Sequence, residues 1–170
     1  IVLKDEPLVQ SFARPTDLAS YSDKDVLSFV QKMQKELQAK SEHILNAMIR
    51  VSTLEVSKLF VSANRELDQN YTWINGFMGL AYRENDKTVQ VFGFCDSANM
   101  ADVMAELPGK MDDLVDRAHH LTLAKPIEPG VYDVITAPSI TGLIAHEAFG
   151  HGVEMDQFVK DRALAKQYVG

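Results

Sequence analysis

The chain has almost no cysteine, no long apolar run and no cluster of basic residues. One cysteine, Cys95, in 170 residues excludes an intrachain disulfide framework and makes a reducing cytoplasm the expected location. No stretch approaches the roughly 20 apolar residues that a spanning helix needs, so no membrane association is expected. Lys and Arg number 17 against 24 Asp and Glu, for a net charge of −7 and a pI near 5.2. Without a basic stripe to neutralise phosphates, no nucleic-acid partner is expected either. The opening residues IVLKDEPLVQ are too polar and too short for a signal peptide. What remains is a globular composition, 46% apolar, in a length that suits one core or one domain plus part of another.

Residues 1 to 20 hold two prolines and no steady period, which reads as a leading segment with little regular structure. Ser22-Asp23-Lys24-Asp25 resembles a capping box, and Val26, Val30, Met33 and Leu37 follow at helical spacing to about Lys40. From Ile44 the period becomes two, with Leu45, Ala47, Ile49 and Val51 on one side. A strand is predicted there, and a second over Val56 to Ala63. Tyr71 to Arg83 predicts a strand whose Gly76 and Gly79 mark a bulge or a close backbone approach. A turn at Glu84 to Lys87 and a returning strand over Thr88 to Cys95 complete a hairpin. A helix capped by Ser97 or Asn99 follows, interrupted at Pro108-Gly109. Lys125 to Gly130 is the clearest linker, then comes a short buried strand over Val131 to Thr136, stopped by Pro138-Ser139, which would also cap the next helix. The expected fold is α+β: a small antiparallel sheet with covering helices over residues 1–125, then a strand and a helix that begin a second domain at 126–170.

That last helix carries His146-Glu147-Ala148-Phe149-Gly150-His151, an H-E-x-x-G-H pattern. Two imidazoles with a carboxylate beside the first are the inventory of a hydrolytic zinc site: neutral nitrogen ligands and a base for the water the ion activates. In the better-known H-E-x-x-H the histidines lie four apart and share a helical face. A spacing of five separates them by about 140° on a regular helix, so both can reach one ion only if the helix is distorted. A π-bulge would do this. The sequence therefore predicts a helix over 140–157, irregular around Phe149 to Gly152, with the distortion at Gly150. His146 and His151 are the candidate Zn²⁺ ligands and Glu147 the candidate general base.

Catalytic zinc takes three protein ligands and leaves a fourth position for water. The third must be Glu154, Cys95 or a residue outside this chain. Glu154, three after His151, would either bind the metal or orient a histidine, and Asp156 reads as surface or the same. His119-His120 read as surface or helix-end charge rather than a metal site, Cys95 as a small buried hydrophobe, and His43 receives no role.

Glu128-Pro129-Gly130-Val131-Tyr132-Asp133-Val134-Ile135, followed by Gly142 to Asp156 with its H-E-A-F-G-H-G-V-E-M-D run, resembles the TldD/PmbA family of zinc metallopeptidases. The motif-bearing likeness covers about a quarter of the chain. It implies a peptidase acting on extended or unfolded peptides, dimeric with itself or with a family paralogue around an enclosed chamber. By motif position His146 and His151 would hold Zn²⁺ and Glu147 would be the base, which is the catalytic TldD-like arrangement. The family's third ligand is a cysteine far downstream, which Cys95 does not match. By this resemblance the chain would be an N-terminal fragment, inactive alone, with its third ligand beyond Gly170. Dipeptidyl peptidase III shares H-E-x-x-G-H and is the alternative enzyme, but none of its other features is found. A non-catalytic peptide-binding or assembly module, pairing extended segments along a sheet edge, is the alternative from another class.

Overall fold

A computed structural model describes residues 6–163 and 167. The chain divides into two compact units, residues 1–125 and 126–170. The architecture is α+β.

The first unit is a four-stranded sheet with its helices on one face. Strand β1 (Leu8–Ala13) is followed by a 3-10 turn (Leu18–Ser20), helix α1 (Asp23–Gln38) and strands β2 (Ile44–Val61), β3 (Arg65–Glu84) and β4 (Lys87–Ser97). Helix α2 (Met100–Glu106), a 3-10 turn (Leu107–Lys110) and helix α3 (Met111–Leu123) complete the unit. The long strand β3 organises the sheet. It pairs antiparallel with β2 along one side, and on the other with β4 (antiparallel) and with β1, which runs parallel. The sheet is therefore mixed rather than wholly antiparallel, and the leading segment contributes a strand to it. The two strands expected over 44–52 and 56–63 are one, β2.

Helix α1 starts at the predicted box: the Ser22 side chain accepts from the Asp25 N–H, and the Asp25 carboxylate accepts from the Ser22 N–H, satisfying two otherwise orphan donors. Asn85 and Asp86 adopt left-handed backbone angles, φ 51° and 58°, in the tight turn that their short polar side chains favour. A register shift between Ile44 and Asn46 explains why Ile44, not Leu45, is buried with Ala47 and Ile49. Strands β2, β3 and β4 present Ala47, Ile74, Met78, Leu80, Val91 and Cys95 to one face, where Met33 and Leu37 of α1, Val103 of α2 and Leu114 and Ala118 of α3 close the core.

Gly76 is where helix meets sheet. A Cβ built on it would lie 2.6 Å from Val103 Cγ1, so the glycine marks a close approach, and no bulge interrupts its pairing. Pro108-Gly109 splits the following helix at the 3-10 turn, as proline chemistry requires. Asn99 occupies the N-cap of α2, but its side chain makes no cap bond; the Asp17 carboxylate accepts from the Met100 and Ala101 N–H groups instead.

In the second unit, α4 (Pro138–Ala145) leads into a π turn (His146–Gly150), a 3-10 turn (His151–Val153) and α5 (Met155–Val159). The strand expected over 131–136 does not form. Those residues have no ladder partner among the described residues, and Val131 and Ile135 are fully exposed. No described helix is long and apolar enough to cross a membrane.

Candidate metal centre

Helix α4 begins with Pro138 in its first turn, where the missing N–H would have gone unpaired anyway. Its N-cap is Ala137, without a side-chain cap bond, and Ser139 does not serve. Thr136 and Thr141 instead bridge the start of the helix through their hydroxyls at 2.6 Å. Beyond Ala145 the winding changes twice. The His151 N–H donates to the His146 carbonyl five residues back, the bond that defines a π turn. The chain then tightens over His151–Val153 and leaves helical geometry at Glu154, φ −63° and ψ 138°. The helix predicted for 140–157 is thus a succession of short turns broken at Glu154, and its distortion begins at His146 rather than Phe149. Gly150 is not its cause. Its angles are ordinary helical ones, φ −56° and ψ −51°, and a Cβ there would meet His146 Nδ1 at an ordinary 3.6 Å.

The π turn brings His146, Glu147 and His151 together, with one ligand atom from each lying within 4.8 Å of the others. The two imidazoles meet edge to face, ring centroids 4.5 Å apart at 69°. His151 Nε2 stands 3.7 Å from Glu147 Oε2, while its Nδ1 is 2.8 Å from Glu154 Oε1. All three side chains of the group are exposed. Two imidazoles that can donate nitrogen, with a carboxylate beside them that can serve a bound water, are the residue types a zinc site uses, so these residues fit the implied ion.

The remaining candidates fall outside this group. Glu154 faces His151 and does not join the converging atoms among the described residues. Asp156 is paired with Lys160 at 3.4 Å. Cys95 is buried in the core of the first unit, where burial, reinforced by Glu106, pushes its thiol above the ordinary value, the opposite of what a thiolate ligand needs.

His119 is not simply helix-end charge. Its Nδ1 lies 2.7 Å from Glu84 Oε2, to which the Tyr82 hydroxyl also donates at 3.1 Å. His43 Nε2 stands 3.8 Å from the other carboxylate oxygen. The hydrogen bond from His119, helped by that from Tyr82, holds the Glu84 carboxyl below its ordinary value of 4.5. No local sequence signal joins residues 43, 84 and 119, which the turn before β2, the end of β3 and helix α3 bring together.

No protein-family model matches the chain. Over 55 residues it is 33% identical to a metalloprotease of Methanothermobacter thermautotrophicus, a match covering 32% of this chain and 12% of that protein. In fold it resembles a solved chain from Bacteroides thetaiotaomicron, a candidate modulator of DNA gyrase, with a TM-score of 0.53 and 18% identity. That match covers 61% of this chain and 24% of the other, and at such identity the likeness is one of fold alone. The chain thus matches about an eighth of the first relative's length and about a quarter of the second's, and part of it is similar to a metalloprotease.

Proposed function

We propose that the whole protein carrying this chain is a zinc-dependent metallopeptidase of the TldD/PmbA type that hydrolyses extended or unfolded peptides in the cytoplasm. The observation that carries this reading is the π turn that gathers two imidazoles and a carboxylate from a spacing a regular helix would splay apart. The partial similarity to a metalloprotease points the same way. His146 and His151 hold the ion. Zinc, when bound, supplies Lewis acidity that acidifies water and steadies charge developing on a carbonyl oxygen. Glu147, whose Oε2 lies beside His151, accepts the proton of the attacking water and delivers it to the leaving amine. The exposure of all three side chains leaves room for an extended substrate. A third protein ligand is assigned to a downstream cysteine, and assembly to a dimer with a second copy or a paralogue; both rest on the resemblance.

The test is made on the intact protein with an unstructured peptide. Glu147→Gln is expected to keep zinc and lower turnover by about 10²- to 10⁴-fold, whereas His146→Ala or His151→Ala should lose zinc by elemental analysis. Unchanged turnover in Glu147→Gln ends the assignment.

One observation favours a second reading, a peptide-binding module without catalysis. Among the described residues strand β2 has a partner on one side only, and beside it lies a groove of about 590 Å³ lined by Tyr21, Val26, Val30, Ile49 and Thr53. An extended segment could add to such an edge. Peptide retained uncut by the zinc-loaded intact protein would select this reading.

A further inference from the structure

The geometry points to Glu154 as the positioning residue of the metal centre, holding the proton of His151 on Nδ1 so that Nε2 is left as the donor nitrogen. This rests on the zinc-site reading for its purpose but on hydrogen bonding for its substance. A carboxylate accepts and does not donate, so the 2.8 Å contact between His151 Nδ1 and Glu154 Oε1 requires the hydrogen to sit on Nδ1. A neutral imidazole carries one such hydrogen, and its lone pair is then on Nε2. That nitrogen is the one on the side of Glu147, 3.7 Å from its Oε2.

The local winding is what makes the contact. In a 3-10 turn residues three apart eclipse one another, and the turn at His151–Val153 sets the Glu154 side chain over the His151 ring. The break at Glu154 follows directly, so the carboxylate sits at the end of the turn that bears the histidine. Asp156, the other acid of this segment, is engaged with Lys160. Two successive departures from α-helical winding therefore have separate outcomes: the wide turn brings His151 to His146, and the tight one orients it. Carboxylates that hold a ligand histidine in this way generally strengthen metal affinity 10- to 100-fold.

Two measurements on the intact protein decide the assignment. In metal-free, ¹⁵N-histidine-labelled protein, His151 should show its proton on Nδ1, and Glu154→Ala should shift it towards Nε2. In zinc competition against a chelator, Glu154→Ala should weaken binding 10- to 100-fold, while Glu154→Gln, whose amide oxygen still accepts, should recover most of the loss. A wild-type His151 protonated on Nε2, or equal zinc affinity in wild type and Glu154→Ala, overturns the role of Glu154. Wild type that binds no zinc overturns the metal reading instead, and the tautomer measurement still decides whether Glu154 directs His151.

Discussion

In residues 1–125 side chains such as Leu37, Ile74, Met78, Val103 and Leu114 are wholly or almost wholly removed from solvent, and their packing holds α1, α2 and α3 against the sheet. Among the described residues of 126–170 none is buried. Geometry there is set by backbone winding and short-range hydrogen bonds such as Thr136 to Thr141 and His151 to Glu154. The first unit has the material of a self-sufficient core, while the candidate chemistry sits on a stretch in which no described residue is buried. Stability and metal binding should therefore respond to different substitutions.

The sharpest way to break that separation is a pair of variants. His151→Ala should abolish zinc binding and leave the unfolding of the first unit unchanged. Leu114→Ala, which opens a cavity in a fully buried position, should cost about 2–5 kcal/mol without altering zinc affinity below its melting temperature. Calorimetry with zinc titration checks both, and a loss of zinc affinity in folded Leu114→Ala would dissolve the distinction.

A second pair contrasts two glycines. Gly76→Ala must displace Val103 and should cost about 1–3 kcal/mol. Gly150→Ala finds ordinary space in a helical backbone and should change stability by no more than about 1 kcal/mol. Denaturant unfolding of the two variants measures the difference.

The smallest expected effect concerns acid. Because the folded state holds the Glu84 carboxyl below its ordinary 4.5, its contribution is present above that value and fades as pH falls through the lowered one. The stability gap between wild type and Glu84→Gln, measured by melting at a series of pH values, should thus be widest near neutrality and close on acidification below about 4.5. A gap that widens in acid would contradict the sign.

How much of this could be read from the chain depended on whether burial imposed a pattern. Helix α1 was legible because its cap and its apolar stripe agree. The β3–β4 hairpin was legible because the two strands alternate around a turn of Asn and Asp. Strand β2 read as two pieces because beyond Thr53 neither face is buried enough to hold the period. Strand β1 was invisible for the same reason: all six of its residues are exposed, and only pairing with β3 makes it a strand. Val131 to Thr136 failed in the opposite direction, since an apolar run suggested a buried strand where no partner strand occurs among the described residues. At the candidate site, five-residue spacing demanded a distortion, and a π turn is present. Its position is not legible from the glycine, because Gly150 sits in ordinary helical angles and the wide turn already begins at His146. Glu154 stood at a suggestive spacing, but only the tight turn after His151 decides which group it faces.

Asp17 closes the amino end of α2 from a position 83 residues earlier in the chain. Helices usually carry their own caps and can begin to form alone, but the first amides of α2 acquire this acceptor only when the segment after β1 has come to rest beside them. The amino end of that helix is consequently completed by a long-range contact, and removing the Asp17 carboxylate would leave two amides there without this acceptor.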